Sequence, residues 1–129
     1  MTSAELAQLL SEANSADWES LASALKLADG QPPPRVAWLV QHLSVTKRGH
    51  WEAIAATLGT PLPPPELNLN GLCLWEVGQA QVLSAEGLAA PVDYSGARLS
   101  VAELLRLNAR HTVWHAGQIA ALCRGPRLA

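Results

Sequence analysis

The chain has 129 residues, of which 49% are hydrophobic and 16% are charged. This length and this share of apolar residues favour one folded domain over residues 1–129 and argue against disorder. Nine basic and eleven acidic residues give a formal net charge of -2. General nucleic-acid binders are usually basic, so we predict no nucleic-acid partner.

Two cysteines, Cys73 and Cys123, are too few for a disulfide scaffold, and we expect both to be small buried residues. The N-terminus has no charged segment followed by an apolar one, as a secretory signal would have. No stretch approaches the roughly 18 consecutive apolar residues that a membrane span requires. These features predict a soluble, cytoplasmic protein with no membrane partner.

All nine prolines fall in four places and leave four proline-free runs. Proline inside a helix costs about 3 kcal/mol, so these runs are the helix candidates. Together they predict an all-α protein, an antiparallel four-helix bundle with proline-rich connections. The runs cover roughly residues 2–29, 35–58, 70–86 and 101–123.

The first run begins with the capping box Thr2-Ser-Ala-Glu5, which is typical of a helix start. Asn14-Ser15 either interrupts this run, with Ser15 capping a second helix that carries Trp18, or lies inside one continuous helix. The sequence leaves both alternatives open.

The last run is the best-defined helix. It begins with the capping box Ser100-Val-Ala-Glu103 and is predicted to end at Gly125-Pro126. Residues 92–99, just before it, are predicted to form a connecting loop or turn. No segment alternates β-branched and polar residues over a useful length, so the sequence gives a sheet little support.

Two histidines lie one helical turn apart in the segment His111-Thr-Val-Trp-His115. Spacing of four residues places both imidazoles on one helix face, and neutral imidazole binds Zn, Ni, Fe or Cu. The competing interpretation is a pair of polar core or surface histidines, because this spacing also arises by chance. A third ligand from a neighbouring helix would complete a site with open coordination positions.

The second run offers two candidates for the third ligand. His42 shares a stripe with the apolar residues Trp38 and Val45. His50 shares an adjacent stripe with Val36, Leu39, Leu43 and Ile54. Periodicity alone does not choose between the two histidines.

Other residues near these motifs have two interpretations each. Gln118 either orients an imidazole of the pair or is an ordinary helix-packing amide. Trp38 and Trp114 are predicted to be core or interface residues rather than a substrate platform. Asp93 and Glu76 are the nearest candidates for a base, but a solvated carboxylate is the more typical role for each.

Charge is distributed unevenly between the two ends of the chain. If the first and last helices pack together, the acidic and basic side chains balance each other across the bundle. The alternative interpretation of the basic residues is that Arg106 or Arg110 holds an anionic ligand. The acidic set is Glu5, Glu12, Asp17, Glu19 and Asp29, and the basic set is Arg98, Arg106, Arg110, Arg124 and Arg127.

The segment from Leu99 to Arg124 resembles the last helix of the DinB/YfiT-like metal-binding bundles, where a histidine, three residues and a second histidine are followed by Gly-Gln-Ile. The run Val36-Ala-Trp-Leu-Val-Gln-His42-Leu43 is similar to the family's second helix. The resemblance implies a four-helix bundle in which His42, in preference to His50, joins His111 and His115 on a divalent metal such as Zn or Ni. It also implies a homodimer.

Better-understood members of that family use low-molecular-weight thiols in S-transfer or isomerisation. The resemblance therefore implies a metal-dependent thiol S-transferase in detoxification or stress response, acting on a small thiol and an electrophilic small molecule. A bound cation would favour the thiolate, which would attack an electrophilic carbon. The alternatives are a non-catalytic, stress-associated protein that binds a metal or a hydrophobic ligand, and a dimeric scaffold without metal.

Overall fold

The structure is a computed structural model that describes residues 1–30 and 32–124. It is predominantly helical, which confirms the predicted class, and no helix among the described residues is long and apolar enough to cross a membrane. The predicted helix end at Gly125-Pro126 lies outside the described residues. The elements are α1 (Ser3–Ser15), α2 (Leu21–Lys26), α3 (Pro34–Leu58), α4 (Leu69–Gln81), α5 (Ala85–Ala89), β1 (Pro91–Tyr94), β2 (Ala97–Ser100) and α6 (Val101–Arg124).

The first proline-free run forms two helices. The capping box at Thr2 begins α1, as predicted, but the second helix is capped by Ser20 and not by Ser15. The Ser20 and Ser23 hydroxyls accept hydrogen bonds from each other's backbone N–H groups, at 3.1 and 2.9 Å. Because of this reciprocal cap, α2 begins only at Leu21, and Trp18 lies in the connection between α1 and α2. The prediction that Trp18 is helical was therefore wrong.

Residues 92–99 form an antiparallel hairpin, so the prediction of a loop without strands was wrong. Val92 pairs with Leu99 in the register of β1 and β2. The two turn residues, Ser95 and Gly96, have φ of 51° and 82°, as a two-residue hairpin turn with the right twist requires. Strands of four residues are too short to show alternation, and the Ser-Gly pair was the only local signal.

The third run is divided as well. Asn68 caps α4, which ends at Gln81, and Ser84 caps the short helix α5. The proline-rich connection before α4 is held against α3 by Arg48, whose guanidinium donates to the carbonyls of Pro64 at 3.1 Å and Leu67 at 2.8 Å. This side chain adds hydrogen bonds to carbonyl groups of a connection that lies outside the helices and strands.

The long helices pack around two apolar clusters. α1 contacts α4 and α6, and α3 also contacts α4 and α6. Cys73 is buried in the second cluster, as predicted, whereas Cys123 is only half-buried. The first cluster includes Leu6, Leu10, Trp51, Ile54 and Leu104, and the second includes Val36, Leu39, Leu43, Cys73 and Ile119.

A buried polar network centred on Glu76 lies between the two clusters along the long helices. The Glu76 carboxylate accepts hydrogen bonds from Trp51 Nε1 at 2.9 Å, Asn108 Nδ2 at 2.7 Å and Asn14 Nδ2 at 2.7 Å. It also forms an ion pair with Lys47, whose Nζ donates to Asn108 Oδ1 at 2.9 Å. The predicted solvated position of Glu76 was therefore wrong, because four donors from three other helices replace water around it.

Candidate metal centre

Three histidines converge where α3 packs against α6. Nε2 of His111 lies 3.2 Å from Nε2 of His42 and 3.0 Å from Nε2 of His115, and the three candidate ligand atoms all lie within 4.8 Å of one another. His50 is not a member of this group, since its ring centroid lies 6.5 Å from that of His111. The structure therefore places His42 beside the predicted pair.

The separations suit a divalent metal ion. With metal–nitrogen bonds of about 2.0 to 2.1 Å, neighbouring donors are about 2.9 Å apart in octahedral and about 3.3 Å apart in tetrahedral coordination. The two observed distances to Nε2 of His111, 3.0 and 3.2 Å, fall in this interval, and the candidate ligand atoms of His42 and His115 lie within 4.8 Å of each other. Hydrogen bonding explains the cluster less well, because Nε2 of His111 carries either one proton or one lone pair and has two nitrogen neighbours.

Gln118 contacts His115 on the side away from the cluster. Its Oε1 lies 2.6 Å from Nδ1 of His115, so the amide oxygen accepts the Nδ1 proton. This hydrogen bond selects the tautomer that keeps a lone pair on Nε2, and it orients the ring toward the other histidines.

Replacement of Gln118 with Ala is expected to weaken metal affinity by about 10- to 100-fold, because His115 loses its orienting partner. The Gln118 side chain is exposed, so the free energy of unfolding should change little. Gln41→Ala, at an exposed glutamine on α3, is the matched control and should leave affinity unchanged. Zn²⁺ competition titrations measure both variants, and equal affinities would contradict the orienting role.

The imidazoles of His42 and His111 are held neutral. Burial first, and then electrostatic repulsion from the neighbouring imidazoles of His115 and His42, lowers the pKa of His111 to about 4. Burial is also the main cause that lowers the pKa of His42, followed by His115 and Arg35. Lowered pKa values keep the ring lone pairs free for a metal near neutral pH.

His42 lies at the rim of the protein and is stacked by an exposed tryptophan. The Trp38 and His42 rings are 7° from parallel with centroids 5.0 Å apart, and the Arg35 guanidinium lies 3.9 Å from the Trp38 ring centroid. Trp38 is 49% and Trp114 72% exposed, so neither is a core residue, and an interface role stays a prediction. The stack fixes the plane of the His42 ring and places the Arg35 cation against the Trp38 ring that covers it.

His50 belongs to the buried stripe of α3. It is 1% exposed, and its Nδ1 has no hydrogen-bond partner among the described residues. Its ring lies 4.8 Å from the Tyr94 ring. Burial, followed by the charges of Lys47 and His111, lowers the pKa of His50 to about 4.

Acid is expected to destabilise the metal-free protein through His50. Because the pKa falls from 6.5 in the unfolded chain to about 4 in the folded one, the unfolded state binds the proton first as the pH drops. The contribution of His50 to the free energy of unfolding is therefore fully present above pH about 6.5. It declines as the pH drops below that value, by up to about 3 kcal/mol at pH about 4. Denaturant unfolding with chelator at several pH values should show a smaller decline for His50→Gln than for the native chain. Equal declines would contradict this source of acid sensitivity.

The remaining candidates lie elsewhere. Asp93 is an exposed hairpin residue whose carboxylate is 3.6 Å from exposed Arg98. Arg106 and Arg110 line a surface groove on α6 that none of the three clustered histidines lines, so the structure does not bring them to the centre. α1 and α2 do pack against α6, yet no ion pair joins them among the described residues.

Comparison of the chain with protein-family models, with curated proteins and with solved structures gave no match. The three clustered histidines are therefore the feature of the molecule that best indicates a function.

Proposed function

We propose that this chain is a divalent-metal-binding protein of the four-helix-bundle type, with Zn or Ni held by His42, His111 and His115. The approach of Nε2 of His42 and Nε2 of His115 to Nε2 of His111, with all three candidate ligand atoms within 4.8 Å of one another, carries this proposal. The pairwise contacts of α1 with α4 and α6, and of α3 with the same two helices, are those of a closed bundle and support that architecture.

The donor set favours an anionic exogenous ligand. Among the described residues the candidate ligand group contains three imidazoles and no carboxylate, so a divalent ion held there keeps its double positive charge. A divalent ion with three protein ligands has an open coordination position and lowers the pKa of a thiol bound to it. The nearby cation Arg35 adds to the positive potential at the rim.

We propose on this basis a thiol-dependent S-transferase reaction in detoxification or stress response. The thiol gives its proton to solvent, its sulfur forms a bond to an electrophilic carbon, and the leaving group departs with the bonding electron pair. The three histidines hold the metal, and Gln118 fixes the ring of His115. No protein cysteine takes part in this scheme.

Two measurements test metal binding and catalysis separately. Elemental analysis after anaerobic reconstitution should give about one Zn or Ni per chain, and a value near zero would favour the metal-free scaffold. Turnover of a chloro-substituted aromatic electrophile with a panel of small thiols should then depend on the bound metal. A full metal content without any thiol-dependent product would favour the non-catalytic binding protein.

A further inference from the structure

A cavity of ≈ 570 Å³ lies where α1 and the connection that follows it pack against α6. Its volume is in the range of small-molecule sites, about 300 to 1,000 Å³. The wall is largely apolar, since it includes the buried alanines Ala13 and Ala109 together with Leu9 and Val113. The three clustered histidines are not among the described residues that line it. This cavity is therefore separate from the candidate metal centre.

Two indole rings line this cavity, one from each side. Trp18 belongs to the connection between α1 and α2 and is 84% exposed, and Trp114 belongs to α6 and is 72% exposed. The face of an indole ring is electron-rich and attracts cations more strongly than the ring of any other side chain. Exposed tryptophans at a cavity of this size therefore indicate a ligand with apolar surface, and they favour a cationic ligand.

The charged side chains of the wall have the same preference. Among the residues that the structure describes, the wall contains two acidic side chains, Glu12 and Glu19, and one basic side chain, Arg110. Arg110 also lines a second groove of α6, which Glu103 lines as well, so its positive charge is shared between two places. The potential in the cavity therefore favours a cation over an anion.

The adjoining cavity of ≈ 660 Å³ has no such preference. Asp17 and Glu19 line it, but Lys26 and Arg124 line it too, so acidic and basic side chains balance within the described part of the chain. Trp18 is the single indole that the described residues contribute there, since Trp114 lines the first cavity alone. The first cavity is therefore the better site for a cation.

Glu19 has a backbone conformation that glutamate rarely adopts. Its φ is 50°, in the left-handed region where glycine is the usual residue because a Cβ crowds the following carbonyl oxygen. The turn around it is held by the buried Ser20, whose hydroxyl donates to the carbonyl of Ala16 at 2.5 Å. Non-glycine residues held in this region cluster at functional sites. A glutamate where glycine would fit the backbone better indicates that its side chain has a role at the cavity.

We propose that this cavity binds a hydrophobic organic cation, an amine carried on an aromatic or alkyl body. The apolar body packs against the two indole rings, and the ammonium group faces the carboxylates of Glu12 and Glu19. The Ala16–Ser20 hydrogen bond fixes the turn that carries Trp18 and Glu19 before the ligand arrives. A site fixed in advance loses less entropy on binding.

Calorimetric titration of the full chain with three naphthalene probes tests the charge preference. Naphthylmethylammonium, naphthylmethanol and naphthylacetate share the aromatic body and are positive, neutral and negative, respectively. The cation should bind at least about tenfold more tightly than the carboxylate, with the alcohol between them. Equal affinities for the three probes, or binding of none of them, would overturn the proposal.

Variants of Glu19 separate ligand binding from folding. Glu19→Gln should weaken binding of the cation by at least about fivefold and leave the affinity for the alcohol within about twofold. Glu19→Gly should weaken it as much, while its Tm stays at the native value or rises because glycine relieves the left-handed backbone. Glu52→Gln, at an exposed glutamate of α3, is the matched control and should bind like the native chain. Native affinity for the cation in either Glu19 variant would contradict the proposal.

Trp114→Leu tests the indole contact. Leucine keeps an apolar side chain at this exposed position but has no aromatic face. The cation should therefore lose about threefold more affinity than the alcohol does. Equal losses for the two probes would contradict a cation held against the indole ring.

Discussion

Replacement of His111 with Ala is expected to weaken Zn²⁺ binding by about 100-fold or more. Structural zinc sites bind with apparent free energies of about 10 to 16 kcal/mol over four ligands, or about 2.5 to 4 kcal/mol for each. His111 is the candidate ligand that both other imidazoles approach, at 3.2 and 3.0 Å, so its loss would remove the middle of the proposed site. Competition with a chromophoric chelator at fixed pH measures the change.

His50→Ala is the informative control for this prediction. His50 is a histidine on the same helix as His42, but it lies outside the ligand group, so Zn²⁺ affinity should stay within about threefold of the native value. Its removal should still lower the stability of the metal-free protein, because the side chain is buried. Weak binding by His50→Ala together with native binding by His42→Ala would move the site to His50.

Glu76→Ala is expected to lower the free energy of unfolding by about 3 to 5 kcal/mol, because it leaves Lys47 buried without its partner. Trp51, Asn108 and Asn14 would lose their acceptor at the same time. For a chain of this size the loss corresponds to a fall in Tm of about 10 to 20 °C. Thermal and denaturant unfolding of the metal-free protein check it, and a change below about 1 kcal/mol would contradict the network.

A double-mutant cycle separates the ion pair from the rest of this network. Lys47→Met alone leaves a buried carboxylate without its cation, whereas Lys47→Met/Glu76→Gln removes both charges and keeps an amide oxygen as acceptor. The loss of unfolding free energy in the double variant should therefore be smaller than the summed losses of Lys47→Met and Glu76→Gln, by more than about 1 kcal/mol. Additive losses would show that the charges are not coupled.

Helix positions could be predicted from the sequence because their signals are local. Prolines exclude helix interiors, and the capping boxes at Thr2 and Ser100 form as predicted. The division of the first run could not be predicted, since Ser15 and Ser20 are both of a residue type that caps helices, and the structure uses Ser20. The hairpin was missed because its strands are four residues long.

The buried network depends on partners that are distant along the chain. Glu76 meets Lys47 across 29 residues and Asn14 across 62, and helix periodicity gives no information on such pairs. A weaker signal was present: Lys47 lies four residues after Leu43 and four before Trp51, inside a stripe of buried apolar residues. A charged residue in such a stripe indicates a buried partner.

The spacing of His111 and His115 predicted two of the three histidines of the candidate centre, but apolar neighbours did not identify the third. The stripe of His42 includes Trp38 and Val45, which are 49% and 57% exposed, whereas His50 occupies the buried stripe. Because the α6 pair faces the rim, the half-buried histidine joins it and the buried one does not. This outcome depends on how the two helices face each other, which a sequence pattern alone does not specify.

The most direct test of the three-histidine centre is a crystal structure of the Zn²⁺-loaded protein with anomalous data at the zinc edge. We predict one strong anomalous peak at about 2.0 to 2.1 Å from a ring nitrogen of each of His42, His111 and His115. The absence of an anomalous peak would contradict the account. So would a zinc ion bonded to His50 while the His42 ring points away from it.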